Sequence, residues 1–132
     1  MAIDDLWGEL PDVEKIKTPF VILKEQAELL TEKTGGLLVG EVSQNRSIGR
    51  DGFCHTLYIV TPSLNNYRYE LLTINYEIEL YPLRLKKADK ESVSCADEDE
   101  FKKELEKIFK SQETQNVISK LLVHVNGSVN IF

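Results

Sequence analysis

Residues 53–61 read Phe53-Cys54-His55-Thr56-Leu57-Tyr58-Ile59-Val60-Thr61, and residues 67–75 read Tyr67-Arg68-Tyr69-Glu70-Leu71-Leu72-Thr73-Ile74-Asn75. Both stretches are rich in β-branched and aromatic residues. The turn formers Pro62-Ser63-Leu64-Asn65-Asn66 separate them, which is the grammar of neighbouring antiparallel strands. The same grammar extends outward from Leu37 to Lys87. It predicts a four-stranded antiparallel meander with strands over 37–45, 53–61, 67–75 and 78–86. The Asp51-Gly52 pair supplies the first reversal within 46–52, and a tight turn is expected near Asn75-Tyr76-Glu77. Pro82 has no amide to donate, so the last strand is expected at an edge or bulged there.

The alternation in these strands is imperfect. In 53–61 one set is Phe53, His55, Leu57 and Ile59, and the other is Cys54, Thr56, Tyr58 and Val60; in 67–75, Tyr67, Tyr69 and Leu71 stand against Leu72 and Ile74. An antiparallel sheet with one wet face reads more cleanly than this. The expectation is therefore a sheet apolar on both sides, covered by helices on both or by a second molecule on one. Tyr67 and Tyr69 combine apolar area with a polar tip, and with Arg68 and Arg84 they make the candidate interface on the sheet.

Helices flank this meander. Thr18-Pro19 is a helix start, because the Thr hydroxyl can cap free amides and Pro at the first helical position loses no bond. The helix is expected over Pro19–Thr34, with Ile22, Leu23, Ala27, Leu29 and Leu30 buried and Gly35-Gly36 as the left-handed stop. After the meander, Asp97 to Glu100 complement the dipole of a helix over 97–110, where Phe101, Leu105, Ile108 and Phe109 recur at helical spacing. Ser111 can cap a last helix that buries Val117, Ile118, Leu121 and Leu122 and ends at Asn126-Gly127. The fold class is α+β, with one helix before the sheet and two after it.

A shorter amphipathic helix is expected at the start. Ile3, Leu6, Trp7 and Leu10 fall at i, i+3, i+4 and i+7, with Asp4 and Asp5 near the positive end of the dipole, before Pro11 stops it. Barely two turns are marginal in water, so the stripe must dock on its own domain or in a partner's groove. The organisation is thus an N-terminal segment and linker over 1–17, one domain over 18–126, and a tail over 127–132.

The chain has 132 residues, 42% apolar and 29% charged, long enough for one self-sufficient core. Its net charge of −6 opposes adhesion to phosphate backbones and anionic lipid, so nucleic acid is a disfavoured partner. All four arginines, Arg46, Arg50, Arg68 and Arg84, fall in one middle block, a candidate anion or partner surface. The two cysteines are too few for a disulfide scaffold. No basic, then apolar, leader opens the sequence and no apolar run is long enough to span a bilayer, so a cytoplasmic location and no membrane partner are expected.

No motif specifies a reaction. Cys54, His55, Cys95 and His124 are scattered, and Cys54 and His55 point to opposite strand faces, so no metal and no cofactor are expected. There is no phosphate-cradling Gly-rich loop. If a pocket formed on the sheet, His55, Tyr67 and Arg68 would be its polar groups, and a hydrolase or transferase is the reading that follows. The run Arg50 to Tyr58 faintly echoes the basic, glycine and aromatic strand on which some sheets stack single-stranded nucleic acid, but its aromatic spacing is incomplete.

Thr18-Pro19, Glu25-Gln26-Ala27, Gly36-Leu37, Glu41-Val42 and Leu80-Tyr81-Pro82 together resemble an uncharacterised bacterial protein family of unknown function, over about residues 18–122. That resemblance implies a bacterial cytosolic origin and no particular mechanism. The expectation from the sequence is a non-enzymatic protein-interaction module, a homodimer or the binder of another protein.

Overall fold

The structure, a computed structural model, describes residues 3–11, 16–46, 52–87 and 90–129. In chain order the elements are α1 (Pro19–Lys33), β1 (Val39–Val42), β2 (Asn45–Arg46), β3 (Gly52–Thr61), a 3-10 turn (Pro62–Leu64), β4 (Tyr67–Glu77), β5 (Leu83–Lys87), β6 (Val93–Cys95), α2 (Glu98–Phe109) and α3 (Gln112–Val129). The sheet runs β1-β3-β4-β5-β6 with β2 also paired to β3, and every pairing is antiparallel. The meander is therefore five-stranded rather than four-stranded, with its first position shared by β1 and β2.

The added strand is β6, where Cys95 faces Leu83 and Val93 faces Leu85. Three residues between Ser92 and Ala96 are too few to show an alternation, which is why the sequence concealed it. The expected strand 78–86 is also corrected. Residues 78–82 form the turn, Leu80 takes a left-handed backbone (φ 74), the Tyr81–Pro82 bond is cis, and β5 begins only at Leu83. Pro82 thus precedes the ladder and owes it no amide. The reversal expected over 46–52 lies largely outside the described residues, as do residues 12–15 of the expected linker.

The expectation of two apolar sheet faces fails for a specific reason. Between Leu57↔Leu72 and Tyr58↔Glu70 the register shifts, leaving Leu71 as an extra residue in β4. A bulge of one residue flips the alternation of a strand. Tyr67 and Tyr69, on one side of Leu71, therefore share a face with Leu72, Ile74 and Tyr76 on the other. That face, continued by His55, Leu57 and Ile59 in β3, packs under the helices, and the core gathers Ile22, Leu23, Ala27, Leu38, Leu72, Leu85, Phe101 and Leu105. The opposite face carries Glu41, Thr56, Tyr58, Arg68, Glu70, Thr73 and Arg84, with Val39 and Val60 at one end. It is a predominantly polar surface, with the Thr56 and Thr73 hydroxyls hydrogen-bonded across it at 3.0 Å.

The helix boundaries follow their caps. The Thr18 hydroxyl accepts from the Val21 amide at 3.2 Å, the Asp97 carboxylate from the Glu100 amide at 2.9 Å, and the Ser111 hydroxyl from the Thr114 amide at 3.2 Å. Glu100 reaches back to the Ala96 amide at 2.6 Å, so the start of α2 is closed from both sides. Asn126-Gly127 does not end α3, whose backbone continues to Val129. Leu29, expected inside, is 42% exposed.

The expected N-terminal helix is absent. Residues 3–11 carry no helical turn, and Gly8 takes a left-handed backbone (φ 68) at the middle of the stretch. A two-turn helix cannot offset its nucleation cost without a surface to pack on, and a central glycine raises that cost.

Candidate interaction site

The first candidate surface is the N-terminal arm. Ile3, Leu6, Trp7 and Leu10 are 95%, 91%, 83% and 71% exposed. The Trp7 amide donates to Asp5 at 3.0 Å, a local turn that leaves the indole in solvent. Apolar exposure on this scale is uncommon on a monomeric surface.

The second is a groove on the helical side, with a cavity volume of about 560 Å³. Its floor is Leu57, Ile59 and Leu71 of the sheet; α1 forms one wall with Ile22, Leu29 and Leu30, and α2 and α3 form the other with Leu105, Phe109 and Ile118. The bulge creates the floor, because the extra residue, Leu71, lies on it and is buried. Lys33, Lys102 and Lys110 stand on the rim with Glu106 as its acid. Lys110 bonds Glu106 at 2.9 Å and Lys102 bonds Glu98 at 3.0 Å, both exposed pairs of small energetic weight. Neither groove nor rim is apparent from the sequence, beyond the surplus width of an apolar stripe that includes both Leu29 and Leu30.

The sheet residues expected to form an interface are not gathered on one surface. Tyr67 and Tyr69 lie on the helical side, Tyr69 packed against the core and Tyr67 about half exposed at the end of β4. Arg68 and Arg84 lie on the polar side, Arg68 opposite Val60 and Arg84 opposite Asn75, seven β4 residues away. Arg68 is 3.3 Å from Glu41 and stacks over Tyr58 with its guanidinium 4.3 Å from the ring centre. The side chain of Arg46 and the whole of Arg50 lie outside the described residues.

The proposed polar pocket of His55, Tyr67 and Arg68 is likewise dispersed. His55 pairs with Ile74 while Tyr67 pairs with Thr61, a separation of roughly 20 Å along the strands, and Arg68 points to the other face. His55 is instead part of a buried network. Its Nδ1 is 2.8 Å from the Ser43 carbonyl oxygen, which can only accept, so Nδ1 carries the proton. Nε2, 3.1 Å from the Tyr76 hydroxyl, then accepts from it. The Phe20 ring packs against the imidazole at a tilt of 40°, with ring centres 4.6 Å apart. Burial lowers the His55 pKa against the opposing Ser43 bond, and burial raises that of Tyr76. A neutral, enclosed imidazole with both nitrogens engaged holds α1 to the sheet.

Cys54 is partly exposed on the polar face and Cys95 is fully buried in the core; burial raises both thiols, Cys95 to about 11. Among the described residues no three His, Cys, Asp or Glu side chains group to hold a metal ion, and no helix is long and apolar enough to cross a membrane. No protein-family model, curated protein or solved structure matches the chain.

Proposed function

We propose that the protein is a non-enzymatic protein-interaction module that associates with a second copy of itself through its N-terminal arm. One observation carries this reading: the four apolar side chains of the Ile3, Leu6, Trp7 and Leu10 stripe are all at least 71% exposed. Each forgoes about 1.5–3 kcal/mol of burial free energy while it remains in water, so a partner that covers them has a substantial driving force. The acids between them, Asp4, Asp5 and Glu9, keep such an arm soluble and give it a preference for a basic-rimmed receptor.

The chemistry-based reading lacks comparable support, since His55, Tyr67 and Arg68 do not converge. A nucleic-acid reading through the sheet lacks it too, because Arg68 is engaged by Glu41 and flanked by acids. Sedimentation velocity from about 1 to 100 µM tests the proposal. The expected result is a reversible dimer, weakened by Trp7→Ala; a monomer across the whole range overturns it.

A further inference from the structure

We infer that the groove between α1 and the α2–α3 pair is the receptor for the N-terminal arm of a second copy, so that two chains exchange arms reciprocally. This rests on the reading above and names the surface that the arm covers.

Shape, charge and area agree. The arm presents apolar side chains at i, i+3, i+4 and i+7, the pattern by which an amphipathic helix lays one face into an apolar groove. The groove offers an apolar floor of Leu57, Ile59 and Leu71 in a volume of about 560 Å³, within the range that receives anchoring side chains. Docking supplies the packing surface that residues 3–10 need to become helical. The arm carries three acids, Asp4, Asp5 and Glu9, and no base. The groove rim carries Lys33, Lys102 and Lys110, with Lys110 paired to Glu106 and Lys102 to the neighbouring Glu98 in exposed ion pairs. In a chain whose net charge is −6, a lysine-rich rim is a local exception. Its ammonium groups complement the carboxylates of the arm by exchanging exposed partners that hold them only weakly.

The second copy is favoured by what one chain leaves undone. Within a single chain the groove is open while the arm stands in solvent with Trp7 83% exposed. Reciprocal exchange satisfies both arms and both grooves and closes on a two-fold axis with no surplus site left to propagate. Trp7 alone offers on the order of 200 Å², and the three aliphatic side chains at least as much again. With the groove walls, counted for two arms, the total reaches the roughly 1,200–2,000 Å² of a stable pairing.

The test uses the full chain and two variants. Trp7→Ala removes the arm's anchor and keeps the groove; Leu29→Glu places a charge on the groove wall and keeps the arm, and Leu29 is exposed enough that the fold tolerates it. Each alone is expected to weaken the dimer at least about tenfold by sedimentation. Mixed in equal amounts, they are expected to restore a heterodimer, because one intact arm then meets one intact groove. Trp7 is the only tryptophan, so its emission is expected to shift to the blue as wild-type concentration rises through the dissociation constant. Lys110→Glu serves as the second groove variant, with circular dichroism as the check on folding. A dimer sensitive to Trp7→Ala but indifferent to both groove variants overturns the groove assignment and leaves the arm-mediated association standing. A dimer indifferent to all three variants, or a monomer whose Trp7 emission does not depend on concentration, overturns both.

Discussion

Gly40 of β1 passes so close to α1 that a Cβ built on it would stand 2.7 Å from the Cβ of Ala27 and 2.5 Å from the Ala27 carbonyl oxygen. The approach is fastened by one side chain. The Thr31 hydroxyl accepts from the Gly40 amide at 3.0 Å and donates to the Ala27 carbonyl at 3.2 Å. Helix and strand therefore meet backbone to backbone, and this contact sets the height of α1 above the sheet and with it one wall of the groove. Gly40→Ala is expected to destabilise the protein by about 1–3 kcal/mol, the cost of overpacking against backbone that cannot retreat. The midpoint of urea denaturation measures it; an unchanged midpoint would show that α1 rides more loosely than the geometry indicates.

His55 makes a second prediction, on pH. Burial holds its folded pKa below the ordinary 6.5, so as the pH falls the unfolded chain takes up the proton first. Its contribution to stability is fully present above 6.5 and is lost as the pH drops from there toward the lower folded value. His55→Gln removes this titration. The difference in unfolding free energy between the natural protein and His55→Gln is expected to be larger at about pH 7.5 than at about pH 5. A difference that stays constant or grows on acidification contradicts a neutral His55.

Much of the fold was legible in the sequence, and the failures share a physical cause. Thr18-Pro19 and Ser111 marked helix starts because a cap is a local hydrogen bond between residues two or three apart, and the acids over 97–100 marked α2 because they complement its dipole. Residues 53–61 could be read as a strand because the strand is regular. The extra residue Leu71 was not legible, since a bulge is defined by what lies opposite it on another strand. Missing it made one sheet face look like two and grouped Tyr69 with Arg68, which point in opposite directions. The groove was hidden for the same reason, as its floor and walls come from five elements spread along the chain. The apolar stripe of the N-terminal arm was visible at once, whereas its exposure belongs to the fold.

The thiols supply a third prediction. Cys95 is fully buried beside Leu83, with its pKa pushed up to about 11 by burial and the nearby Glu104, Glu100 and Asp97 carboxylates. Only the thiolate attacks a disulfide reagent. At about pH 8 Cys95 is expected to react no faster than the protein unfolds, with the partly exposed Cys54 reacting well ahead of it. Absorbance from an aromatic disulfide reagent follows both, and urea is expected to release the slow thiol. Two equally fast thiols in the native protein would place β6 away from β5.

Two threonines of β3 separate a satisfied buried hydroxyl from an orphaned one. Thr56 Oγ1 bonds Thr73 Oγ1 at 3.0 Å, whereas Thr61 Oγ1, in a side chain with no exposure, has no hydrogen-bond partner among the described residues. Valine matches threonine in shape and removes only the hydroxyl. Thr61→Val sheds a polar atom whose burial is uncompensated, which typically costs about 1–3 kcal/mol, and is expected to raise stability. Thr56→Val removes the bond to Thr73, whose hydroxyl keeps only its longer bond to Glu70 at 3.4 Å, and is expected to lower stability by about 1 kcal/mol. Because the two sites lie on the same strand and exchange the same atoms, the opposite signs cannot come from β propensity or side-chain volume. Denaturation of the two variants in parallel decides the matter: a loss of stability for Thr61→Val would mean that its hydroxyl has a partner in solution.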